Sequence, residues 1–294
     1  MVDALLALVT DFTARNVVLG AGVLGILCGA VGSFAVLRRQ SLLGDMLAHA
    51  ALPGIVLGFL ATGTRSLPPL LAGALLSGAA WALLLQVIAR RTRLKDDGAT
   101  TLTLSLSFAL GLALLAFATQ RGDARYAGLD SFLFGQAASL LPADVTLLVV
   151  VASVVIGLMA LAWKELALVT FDRAYARTAG VSVVAIESAL TVALALAVVV
   201  GLQLVGVVLM TALVVAPAVA ARQWTDRLGH MVMVAAAIGA SSAIVGAAVS
   251  ASVRGMATGP VIVLVASFAA FASLAFAPRR GLVWAARRRR RRES

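Results

Sequence analysis

Long apolar runs separated by short charged breaks fill the chain from Val17 to Ala277. The first run, Val17–Leu37, closes on Arg38 and Arg39, and the second is Leu42–Thr62. Pro68–Ala89 follows, then the charged RRTRLKDD, then Thr100–Thr119. A polar stretch separates these from Val145–Trp163, and the segment after it is too polar to span. Glu187–Ala221 is longer than the roughly 20 residues one membrane helix needs. Its centre, Gly201-Leu202-Gln203, is where the chain is expected to turn. Met231–Ser252 and Pro260–Phe276 complete the set. The pattern predicts an all-α polytopic membrane protein with about nine transmembrane helices, or eight if Glu187–Ala221 stays one tilted helix.

Charge placement favours nine. With Arg38 and Arg39 inside and the runs alternating, inside segments hold 19 of the 24 Lys and Arg residues, and outside segments hold 5. That asymmetry follows the positive-inside rule and puts the C-terminus in the cytoplasm. The predicted layout is an N-terminal interfacial segment at 1–16, a membrane domain at 17–277 with a cytoplasmic segment at 164–186, and a basic cytoplasmic tail at 278–294.

Composition agrees. The chain is 62% hydrophobic and 13% charged, against about 25% charged in soluble domains. Its net charge of +11 does not point to nucleic acid, because the positive residues lie between spans. The Arg287–Arg292 run suits anionic lipid head groups. Cys28 is the single cysteine, which excludes a disulfide framework or a thiolate metal cage.

Two ionisable residues break the second span. Asp45 and His49 are four apart, so they share one side of a helix. Charged groups at membrane depth are costly and mark transport paths. A carboxylate oxygen with an imidazole nitrogen suits a divalent transition metal better than magnesium or calcium. The bland alternative is an Asp45 that complements the helix dipole and a neutral His49 bonded to a carbonyl. Ser41 is a candidate N-cap for this span.

Further candidates surround this pair. Pro53, four residues after His49, removes a helix hydrogen bond and frees the His49 carbonyl; Pro217 acts likewise in the seventh span. Kinks of this kind are where transport sites form. Glu187, at the inner start of the sixth span, is a structural carboxylate or a gate or proton contact, and Gln203 sits at the expected outer turn. The segment Phe171–Gly180 reads as a short surface helix. Asp172 can cap it, Arg173 and Arg177 form a stripe, Phe171 and Tyr175 give it an aromatic face, and Gly180 fits a helix stop. It suits docking to a soluble partner, or lying on the bilayer. Lys95 and Lys164 are the only lysines, and neither lies in a phosphate-binding loop.

The run LRRQSLLGDMLAHAALPGIVLGF closely resembles the signature region of permease subunits from bacterial ABC importers for manganese, zinc and iron. VVGLQLVGVVLMTALVVAPAVAARQWTDRL, ELALVTFDRAYARTAGV and TGPVIVLVASF resemble that family in the same order, over roughly Ala14–Gly281. DSFLFGQAAS and AARQWTDRL are most similar to manganese permeases. The resemblance implies a fold related to vitamin B12-type importers in the bacterial cytoplasmic membrane. It implies a second permease copy or paralogue, a cytoplasmic ATPase dimer that binds ATP, and an extracytoplasmic metal-binding protein. The chain itself would not be an enzyme and would hold no permanent cofactor. Its cargo would be Mn2+, Zn2+ or Fe2+, with Asp45 and His49 on the metal pathway and Phe171–Gly180 coupling to the ATPase. The external mouth is expected near Gly63–Leu67, Gly122–Ser139 and Arg254–Gly259. The alternative from a different class is a proton-coupled secondary transporter relaying through Asp45, His49 and Glu187.

Overall fold

The structure, a computed structural model, describes residues 12–63, 67–120, 140–252, 256–277 and 281. Every element among them is helical: α1 Phe12–Leu37, α2 Leu42–Thr62, α3 Leu67–Arg91, α4 Asp96–Thr119, α5 Pro142–Leu161, α6 Trp163–Phe171, α7 Arg173–Thr178, α8 Val183–Val205, α9 Val207–Trp224, α10 Leu228–Ser252 and α11 Thr258–Phe276. Eight of these are long and apolar enough to cross a membrane, and Leu209–Trp224 of α9 is a shorter apolar helix. The tail beyond Gly281, most of the expected outer mouth, and the N-terminal segment up to Asp11 lie outside the described residues. The first helix starts at Phe12, inside the segment read as interfacial.

Helix directions follow from which residues meet. α10 runs antiparallel to α1, with Gly22 at Ile244, Gly25 at Gly239 and Gly29 at Ala235. The α1–α10 approach is backbone on backbone: a Cβ on Gly25 would strike the Gly239 carbonyl. Lipid tails are as apolar as side chains, so close packing of this kind, not water exclusion, holds such helices together. α11 returns antiparallel to α10, with Gly246 against Ile262 and Ser250 Oγ 3.0 Å from Thr258 Oγ1.

The segment Glu187–Ala221 is indeed divided, but at Gly206 rather than at Gly201-Leu202-Gln203. Gly206 has φ 88° and ψ 163°, a conformation open essentially to glycine. Gly201 stays helical, packed on Met210 and Leu24, and Gln203 lies inside α8. The break reverses the chain. α8 runs antiparallel to α1, with Glu187 at Arg38 and Leu204 at Gly20. α9 runs parallel to α11, with Leu209 at Gly259 and Trp224 Nε1 donating to Ser273 Oγ at 3.1 Å.

The first four helices alternate in the same way. α2 and α3 are antiparallel, with Gly54 on Gly73 and Gly58 on Pro69. α5 runs with α1, since Gly20 meets Val145 and Phe34 meets Trp163 edge-on at 5.9 Å. One end of the bundle therefore carries Arg38, Arg39, Arg91, Arg93, Lys95, Arg173, Arg177, Arg222 and Arg227. Among the described residues, these cations gather at one end of the helices, as the positive-inside rule expects of a cytoplasmic face.

Candidate functional site

α2 packs against α3, α4, α8 and α9, so its polar residues lie partly buried among these helices. Ser41 occupies the expected N-cap position, yet its side chain makes no capping hydrogen bond and its backbone is already helical (φ −59°, ψ −30°). The Leu43 N–H instead donates to the Gln40 carbonyl at 3.1 Å. The tight α1–α2 turn supplies a backbone acceptor and makes the hydroxyl unnecessary.

Asp45 lies in the first turn of α2. Its Oδ1 is 3.5 Å from His49 Nε2, and the His49 side chain is 14% exposed against 31% for Asp45. Thr211, on α9, donates its hydroxyl to the same Oδ1 at 3.0 Å. A carboxylate, an imidazole and a hydroxyl from two helices thus converge. Phe108 of α4 holds the imidazole edge-on, with ring centroids 4.5 Å apart. His49 Nδ1 is buried with no hydrogen-bond partner, an unmet polar group where most are paired. Among the described residues no group of three or more His, Cys, Asp or Glu side chains gathers to form a closed metal cage. The cluster offers one oxygen anion, one nitrogen and one hydroxyl, which is a partial coordination sphere.

Pro53 is buried inside α2, which runs unbroken from Leu42 to Thr62. Beside it, Ser77 Oγ of α3 donates to the Ala50 carbonyl at 2.7 Å. That carbonyl is one residue past the His49 carbonyl that Pro53 leaves free, so the bond ties α2 to α3 without replacing the one the proline removes. Pro217 likewise lies within a continuous α9. Neither proline unwinds its helix.

Glu187 sits one turn into α8. Its Oε1 is 2.8 Å from Arg38 Nη2 and 3.1 Å from Arg173 Nη2. Arg38 is almost wholly buried. That burial holds its guanidinium below the ordinary value; Glu187 opposes the shift and Arg173 adds to it.

The segment read as a docking helix begins where α6 stops at Phe171. Asp172 Oδ1 accepts from the Tyr175 N–H at 2.9 Å and caps α7. Gly180 ends the segment with φ 78°. Ala176 is buried with Val169 and Val183, seating α7 on α6 and α8. Phe171 and Tyr175 point outward, 61% and 60% exposed, and Arg173 is half exposed.

Sequence reasoning missed Thr211, Phe108 and the two arginine partners of Glu187. A hydroxyl within the apolar run VVLMTALVV was the available sign for Thr211, but nothing in the sequence tied it to Asp45.

The sequence matches the ABC 3 transport family over residues 10–277. It is 48% identical over 289 residues to the zinc transport system membrane protein TroC of Treponema pallidum, covering 98% of this chain and 97% of that protein. It is 44% identical over 266 residues to the manganese transport system membrane protein MntC of Bacillus subtilis, covering 90% of this chain and 61% of the relative. The structure of PsaBC from Streptococcus pneumoniae in complex with Fab superposes with a TM-score of 0.84 at 30% identity, over 95% of this chain and 98% of that one. The chain belongs to the ABC 3 transport family, the permease family to which its membrane motifs point.

Proposed function

We propose that this chain is the membrane permease subunit of an ATP-driven importer of divalent transition-metal ions. The observation that carries the reading is the convergence of Asp45, His49 and Thr211 within the bundle. A carboxylate held among the membrane helices, with a partly buried imidazole and a hydroxyl as its neighbours, is costly to keep charged, and a passing cation offsets that cost. The relatives named for zinc and for manganese transport support the same cargo class.

The ion enters from the end opposite Arg38, delivered by an extracytoplasmic metal-binding protein. Asp45 supplies charge, His49 supplies a nitrogen, and Thr211 steadies the carboxylate. Two ionisable ligands bind weakly enough to release, as a conducting site must. A second permease copy or a paralogue can bring a second such pair to the path. The basic end faces the cytoplasm by the positive-inside rule, and Phe171–Gly180, at that end, is the proposed docking segment for an ATPase dimer. Nucleotide is bound and hydrolysed there, and this chain is the conduit.

Manganese is the proposed cargo, from the wording of DSFLFGQAAS and AARQWTDRL; the zinc relative at 48% identity makes zinc the direct competitor. The test is uptake of manganese(II) by vesicles holding the permease with its ATPase, with an uncoupler and with zinc as competitor. Uptake that needs ATP and survives the uncoupler supports the proposal. Uptake abolished by the uncoupler would favour the proton-coupled alternative.

A further inference from the structure

Arg38 ends the first traverse and stands in the short turn leading to the helix that carries Asp45 and His49. Arg173 is the first residue of α7, the segment with the exposed aromatic pair. These two guanidinium groups, 135 positions apart in sequence (173 minus 38), meet on one oxygen of Glu187, at 2.8 Å and 3.1 Å. One negative charge thus holds two positive charges together that would otherwise repel at that range. Lacking Glu187, the buried Arg38 would lose its counter-charge, and Arg173 would lose its tie to the α1–α2 corner.

The surroundings leave this joint room to act. α7 rests on α6 and α8 through the small cluster Val169, Ala176 and Val183. A cavity of about 670 Å³ opens beside the joint, lined by Arg38, Arg39, Asp96, Asp97, Arg173 and Glu187 among others. Open space therefore lies on that side of Arg173, and the shared carboxylate links α7 to the corner at the base of α2.

We propose that Glu187 is a positioning residue for transport, coupling α7 to the metal-bearing helix by holding Arg173 and Arg38 on a single oxygen. This rests on the importer reading above, in which α7 faces the ATPase.

The test uses the full permease–ATPase complex in proteoliposomes, with ATP hydrolysis and manganese(II) uptake measured in the same sample. Arg173→Gln leaves the buried Arg38–Glu187 pair in place, and Glu187→Asp keeps the charge while drawing it back by one methylene, so both variants retain the neutralised Arg38. Each single variant is expected to lower ions taken up per ATP hydrolysed at least threefold, while hydrolysis persists. Arg173→Lys is expected to recover most of the ratio. The double variant Arg173→Gln with Glu187→Asp is expected to be no worse than the poorer single one, because both cut the same tie. An unchanged ratio in either single variant, or losses that multiply in the double variant, would overturn the coupling role. Uptake that ignores ATP in the unsubstituted complex would remove the importer reading itself, and it is distinguished by appearing before any substitution is made.

Discussion

Thr211 donates its hydroxyl to Asp45 Oδ1 at 3.0 Å across 166 positions of sequence, joining α9 to α2 at the candidate ion site. The same oxygen faces His49, so the hydroxyl fixes the carboxylate that the imidazole approaches. Thr211→Val keeps the shape and removes the donor. A hydrogen bond to a charged group contributes about 1.5–3 kcal/mol, or roughly ten- to 150-fold in an equilibrium constant. The KM for manganese uptake is expected to rise by about that factor in Thr211→Val and to stay near the unsubstituted value in Thr211→Ser.

The α1–α10 contact sets the frame around that site. Gly25 and Gly239 meet with no room for a side chain between them. Gly25→Leu is expected to destabilise the bundle by about 1–3 kcal/mol or more through overpacking, read as a lower melting temperature in detergent. Gly78, with open space where its Cβ would stand, provides the contrast: Gly78→Ala is expected to leave the melting temperature unchanged or slightly higher.

Gly206 is where two traverses separate, with φ 88° and ψ 163°. A side chain there is strained by its backbone, at a cost of order 1–3 kcal/mol. Gly206→Ala is therefore expected to melt earlier than the unsubstituted protein. Equal melting temperatures would mean the α8–α9 junction has another conformation.

The outward aromatics of the α7 region provide a separate check. Phe171 and Tyr175 are more than half exposed, so truncating them removes little internal packing. Aromatic residues dominate binding at protein interfaces. The pair Phe171→Ala and Tyr175→Ala is expected to leave melting unchanged while co-purification of the ATPase falls at least tenfold. Undiminished co-purification would place the docking surface elsewhere.

Much of this architecture was legible because a membrane helix advertises itself locally, as an apolar run of fixed length. The runs marked the long helices, and their edges differ where helix continues past the apolar part: α1 starts at Phe12, α4 at Asp96 and α8 at Val183. The break in the longest run was expected among Gly201-Leu202-Gln203 and lies at Gly206. Several glycines were eligible. Gly201 is held helical by its contacts with Met210 and Leu24, and the junction is seated where Val205 and Leu209 meet Gly259. Those contacts are tertiary and leave no mark on local sequence. The Asp45–His49 pairing was readable because i, i+4 geometry is local. Thr211, Phe108 and the Arg38–Glu187–Arg173 joint were not, since each joins segments that only the folded bundle brings together. Ser41 carried a capping signal that the backbone of the α1–α2 turn made redundant.

The most direct measurement is ATP-dependent manganese(II) uptake by proteoliposomes containing the permease–ATPase complex, comparing the unsubstituted chain with Asp45→Asn and His49→Ala. Each substitution is expected to cut uptake at least tenfold while the complex still assembles and the permease remains folded. Normal uptake by an assembled double variant would contradict the claim that the ion passes between these side chains.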